Sequence, residues 1–310
     1  MNFNNNFEVI YQKLLSDKTK VKSEQIILVI AIASFLIHLF IIFLVDFDLI
    51  SLKNPSDFLK NPIAAIYTPF SFILVYEVYL LIYYLPKSIS TYIGKQYEII
   101  TLIIIRRLFK DLSTLTLSFD WFKINHDLQF TFDLLASVLL FYFIFLFHLY
   151  SKKRFNPVRA RQPSKVEISR FIKIKKAIAA LLVPILIVLA VYSFLSWSLS
   201  VIYPNLNFAV SFKNLNNIFF EQFFTILIIA DVILLLFSFF HTDEFHKVIR
   251  NSGFIISTIL IRLSFSFGGI INTVLIVSAV VFGLLILIVH NKFEKYFELE
   301  PSHGDTDNHI

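Results

Sequence analysis

Cysteine is absent from the 310-residue sequence, which excludes disulfides, thiolate metal sites and cysteine nucleophiles together. Glycine is nearly as scarce, at six residues, and no Gly-rich phosphate-binding loop is among them. No G-x-S-x-G elbow, HExxH pair or TVGYG filter occurs, so neither a nucleophile elbow, a zinc protease helix nor a carbonyl-lined potassium filter is encoded. Charge is also sparse. Only 16% of residues are Asp, Glu, Lys or Arg, whereas a soluble domain carries about 25%. Enzymatic chemistry is not expected, and no cofactor is predicted.

What fills the chain instead is apolar. Hydrophobic residues make up 57% of it, Phe alone contributes 37, and the mean hydropathy is +0.73. The apolar residues come in continuous runs, such as QIILVIAIASFLIHLFIIFLV from Gln25, rather than in the strict alternation of a β-barrel. A helix needs about 20 such residues to cross a hydrocarbon core about 30 Å thick. The predicted fold class is therefore all-α, a polytopic transmembrane helical bundle.

Runs between charged breaks place about eight spans at 25–45, 65–85, 96–110, 131–150, 179–202, 218–240, 253–267 and 269–290. The last two are read as separate helices joined at Gly268–Gly269, with one bent helix as the alternative. The organisation is a polar N-terminal segment (1–24), a four-span unit (25–150), a basic linker (151–178), a second four-span unit (179–290) and a polar tail (291–310). Residues 1–24 lack the apolar core of a signal peptide, so span 1 is expected to serve as an uncleaved targeting signal.

The positive charge is distributed unevenly. With an inner N-terminus, 20 of the 28 Lys and Arg residues fall on the inner side and five in outer loops, while Arg106, Arg107 and Arg262 lie within or at the ends of spans. The positive-inside rule then puts both termini in the cytoplasm. A bacterial inner membrane is the expected location. Ten of the inner charges lie between residues 151 and 178, and anionic lipid headgroups attract such residues by about 1 kcal/mol each. The net charge of +6 is thus read as lipid-facing and orienting, not as a nucleic-acid signal.

A shift of 154 residues lays span 1 on span 5 and Glu77 on Asp231, matching EVYLLIYY with DVILLLFS. Arg106 follows the first acid and Arg262 the second at similar spacing, and spans 4 and 8 each end in a histidine, His148 and His290. Two parallel four-span repeats account for this order, an arrangement known in transporters.

Glu77, Arg106, Asp231 and Arg262 are the candidate site. An unpaired Asp or Arg at a span centre costs about 2.5–3.5 kcal/mol, so acid and arginine are expected to pair within each half. Such pairs serve either an ion or proton pathway or a lock between neighbouring helices, and both readings stand. Arg107 is expected to snorkel to the outer surface, and Asp133 and Glu221 to reach water at the starts of their spans. His38 is read as a hydrogen-bonded packing residue. The hydroxyls of SFLSWSLS in span 5 either line a path or bond back to their helix, and Pro69 and Pro184 are expected to kink spans 2 and 5. HTDEFH at 241–246 and the tail residues His303 and His309 offer histidines without metal-site spacing, so no metal site is predicted. Spans 4 and 8 lack arginines at every third position, so neither is a voltage-sensing helix. The sequence names no solute and no oligomeric state.

Overall fold

In the computed structural model the described residues are 2–47, 62–112, 125–152, 165–202, 212–239 and 244–299, and among them there are helices but no strand. Helix α1 (Asn2–Leu15) is divided from α2 (Asp17–Asp46) by Ser16, whose hydroxyl accepts from the Thr19 amide at 3.2 Å and caps α2. A 3₁₀ turn at Pro62–Ile66 leads into α3 (Tyr67–Tyr84). Ser88 caps α4 (Ile89–Leu112) by accepting from the Thr91 amide at 3.3 Å. Then follow α5 (Asn125–Lys152), α6 (Lys165–Ile202), α7 (Phe212–Phe239), α8 (Phe245–Ser264) and α9 (Gly269–Leu299).

Each of the eight apolar runs overlaps one helix, from α2 to α9. Residues 253–290 form two helices, not one bent helix. Gly269 has φ +68°, a left-handed conformation that glycine adopts without steric penalty, and it lets α9 fold back along α8. The Asn272 amide donates to the Ser264 carbonyl at 2.6 Å and so closes the C-terminus of α8. The helices extend beyond the apolar runs. Residues 165–178 of the basic linker are the first turns of α6, and most of residues 1–24 are helical. Pro184 lies inside α6, whereas Pro69 lies in the first turn of α3, where its missing N–H removes no intrahelical bond.

Among the described residues, five helical stretches are long and apolar enough to cross a bilayer: Glu8–Asp46, Asp127–Lys152, Ser169–Tyr192, Gln222–Phe239 and Gly269–Tyr296. Thr68–Tyr84 is apolar but shorter. Helices α4 and α8 are not among them, because they carry Lys95, Glu98, Arg106 and Arg107, and Lys247, Arg250 and Arg262. The long helices turn apolar side chains outward, as at Phe141, which is 74% exposed. Such surfaces suit lipid rather than water. The chain has the helices of an integral membrane protein.

Neighbours recur in the same order in both halves. Helix α2 packs on α3, α3 on α4 and α4 on α5, and α6 to α9 repeat that succession. The halves meet where α4 touches α8, α5 touches α9 and α3 touches α6. At the centre the Tyr97 and Phe147 rings meet edge-on at 5.1 Å, and Phe147 lies 5.6 Å from Phe254. Tyr97 is fully buried and shares a hydrogen bond with Ser257 at 2.7 Å, which fixes α4 against α8. Helix α1 lies along α6, tied by a Lys176–Glu8 ion pair at 2.8 Å. One face of α3 presents Tyr76, Tyr79 and Tyr83, at the three- and four-residue intervals of a single helix side. Their hydroxyls donate to Glu24 (3.0 Å), the Leu14 carbonyl (3.0 Å) and Asp17 respectively.

Candidate functional site

Both candidate acids are buried: Glu77 on α3 is 8% exposed and Asp231 on α7 is 2% exposed. Their surroundings differ. Arg106 acts on Glu77 electrostatically across the α3–α4 contact, without a hydrogen bond between them. Among the described residues none donates a hydrogen bond to the Glu77 carboxylate.

Asp231 is held from the other half of the molecule. Its Oδ1 accepts from the Tyr92 hydroxyl at 2.8 Å and its Oδ2 from the Gln96 amide at 3.1 Å. Tyr92 and Gln96 are four residues apart on α4 and therefore share one helix side. Lys175 of α6 adds its charge from nearby while donating to the Lys87 carbonyl at 3.1 Å.

Arg262, expected beside Asp231, does not pair with it. Its guanidinium reaches the Thr225 hydroxyl on α7 at 3.4 Å. The reason is depth. Arg262 lies 17 residues from the start of α8 and Asp231 eight from the end of α7, so along the helix axes they differ by about 13 Å. The apolar run starts at residue 253, eight residues after the true start of α8 at Phe245, and so conceals this offset.

Two further expectations are overturned at the opposite end of the bundle from the α3–α4 turn. Arg107 does not snorkel and Asp133 does not reach water. Asp133 is 0% exposed and takes a two-pronged contact from Arg107, Nε to Oδ2 at 2.5 Å and NH2 to Oδ1 at 2.7 Å. Arg107 also donates to Asn272 at 2.8 Å and Thr273 at 2.7 Å, and Thr273 donates to Asp133. A planar guanidinium with five donors suits this cluster, which joins α4, α5 and α9.

No protein-family model, curated protein or solved structure matches this chain.

At the end of the bundle that carries the α3–α4 turn, a lysine-rich end with Lys87, Lys95, Lys175 and Lys247, histidines meet carboxylates. His148 of α5 meets Glu98 of α4 at 2.8 Å, and Glu98 also holds Lys95 at 2.5 Å. In the second half, His246 at the start of α8 stacks on His290 of α9, ring centroids 5.2 Å apart, with Glu294 beside both. Burial, reinforced by His290, lowers the His246 pKa below the ordinary histidine value and favours its neutral ring. The HTDEFH stretch alone gives no sign of this group, because the partners of His246 lie more than 40 residues away on α9. Tyr92 and Gln96 were missed for the same reason, lying 139 and 135 residues from Asp231. The one local signal for them is a polar pair four residues apart inside a buried helix.

His38 is buried, with its Nδ1 2.5 Å from the Thr68 hydroxyl, a packing histidine bridging α2 and α3. His241, His303, His309 and the side chains of Glu221 and of the serines in SFLSWSLS lie outside the described residues.

Proposed function

We propose that this chain is a multi-pass membrane permeation protein, a transporter or channel for a small ion or for protons, with Glu77 and Asp231 as its exchanging carboxylates. The observation that carries this reading is the setting of Asp231. A fully buried acid is bound by two neutral donors rather than clamped by a guanidinium, so releasing it does not require separating a tight ion pair. Intramembrane acids are costly and mark ion or proton routes in membrane proteins. Arg106 supplies the counter-charge for Glu77, and Arg262 stands further out along the α7–α8 contact. The shared order of neighbours supports two duplicated four-helix halves, crossing the bilayer eight times with both termini in the cytoplasm of a bacterial inner membrane. The basic stretch 151–178 then faces anionic lipid headgroups.

The test is flux into liposomes holding purified protein, wild type beside Glu77→Gln/Asp231→Asn. Flux of an ion or of protons that the double variant loses at equal reconstitution supports the reading. Equal flux from both proteins refutes it.

A second reading, a non-transporting scaffold or binding subunit whose charges lock helices, is favoured by the Arg107–Asp133 cluster. There every charged group is paired and three helices are joined. Under that reading no flux is seen, and replacing either acid lowers stability alone.

A further inference from the structure

We propose that His246, His290 and Glu294, with Glu244 as a fourth ligand, form a binding site for a divalent transition-metal ion of the zinc class at the lysine-rich end of α8 and α9. One ligand atom from each of His246, His290 and Glu294 lies within 4.8 Å of the other two. The Oε1 of Glu294 is 3.2 Å from the His290 Nε2 and 3.9 Å from the His246 Nε2. The Oε2 of Glu244 is 3.3 Å from the same His246 nitrogen. A tetrahedral zinc ion with ligands at about 2.0–2.1 Å separates its donor atoms by about 3.3 Å, so small side-chain rotations bring these atoms into place. Two imidazoles with carboxylates are a donor set that zinc accepts.

The positions follow from the fold. His290 and Glu294 are four residues apart and share one side of α9. Glu244 is the N-cap residue of α8 and His246 stands in its first turn, so the ligands come from two helices that pack along each other. His246 stacks on two rings of α9, His290 at 5.2 Å and Phe293 at 5.6 Å.

Two cations face the same group. Lys247 holds the other oxygen of Glu244 at 2.8 Å. Arg250 donates its NH1 to the His290 Nε2 at 2.9 Å, so a guanidinium stands where the metal would take the imidazole lone pair. Arg250 has a second anchor, its Nε and NH2 donating to Asn251 at 3.2 and 3.0 Å. It can therefore withdraw from His290 without losing all its partners. Arg250 is a competitor for the site and not a ligand of it.

The experiment uses the full chain purified in detergent without a histidine tag, with His303 and His309 replaced by alanine throughout to silence the tail. After chelator extraction, cobalt(II) is titrated and its visible d–d absorption followed, then zinc(II) is added as competitor and bound metal counted by elemental analysis. The expected result is one equivalent per chain, displaced by zinc. His246→Ala and Glu294→Gln each weaken binding by about tenfold or more, since even outer-shell changes cost about 10–100-fold. Arg250→Met, which removes no ligand, tightens it. Failure of the parent and the Arg250→Met protein to bind overturns the proposal. So does binding that His246→Ala and Glu294→Gln leave unchanged. Monodisperse elution and unchanged thermal unfolding of each variant separate loss of a ligand from loss of the fold.

Discussion

Replacing Asp133 tests whether the Arg107 cluster holds the bundle together. Asp133→Ala removes three hydrogen bonds, two from Arg107 and one from Thr273. Interhelical hydrogen bonds in membranes are worth about 0.6 kcal/mol each, which gives a loss of about 2 kcal/mol. That is a lower figure, because the guanidinium left behind keeps its charge at a site where its side chain is only 25% exposed. Breaking one side of a buried ion pair costs about 3–5 kcal/mol. The expected destabilisation is therefore about 2–5 kcal/mol. Removing both charges in Arg107→Met/Asp133→Leu leaves only Asn272 and Thr273 to find new partners, so the double variant should be less destabilised than Asp133→Ala. The assay is reversible unfolding in mixed detergent and dodecyl sulfate micelles, followed by far-ultraviolet circular dichroism. A cycle of single and double variants gives the coupling energy. A cost below about 0.5 kcal/mol for Asp133→Ala, in the range of an ordinary surface substitution, would refute the reasoning and place Arg107 in water.

Two other perturbations have a direct reading. A Cβ added at Gly283 would clash with the Tyr97 hydroxyl and come 3.1 Å from the Ser257 hydroxyl. Gly283→Ala should thus cost about 1–3 kcal/mol by overpacking. Tyr97→Phe in the same chain should recover part of that loss, and additive costs in the unfolding assay would show that the two side chains do not meet. Because the chain has no cysteine, single cysteines can be introduced into a clean background. Those at residues 2, 153 and 305 should resist an impermeant maleimide in intact cells, and those at 55, 118 and 207 should react. Labelling of 153 from outside would sink the proposed orientation.

The helices were legible because apolar continuity is a local property, and the turn at Gly268–Gly269 was legible because few residues tolerate a positive φ. Glu77 and Asp231 stood out because an acid in such a run is rare. Their partners were not legible to the same degree. Pairing depends on axial depth, and the apolar runs at 96–110 and 253–267 hid the true starts of α4 at Ile89 and α8 at Phe245. Azimuth mattered as well. Arg106 and Arg107 are adjacent in the chain but about 100° apart around α4, so one acts on α3 and the other reaches α5 and α9. Long-range partners such as Tyr92 for Asp231 leave no mark in local spacing. They arise where the second half of the chain folds against the first.

The hydrogen bonds that Tyr92 and Gln96 make to Asp231 couple the charge to the fit between the halves. An outward slip of about 1 Å of α4 relative to α7 would stretch both beyond hydrogen-bond range. The acid would then keep the charge of Lys175 nearby but neither of its two donors. On the proposed function, release of Asp231 would be tied to relative motion of α4 and α7, whereas Glu77 and Arg106, on the adjacent helices α3 and α4, would ride through the same motion together.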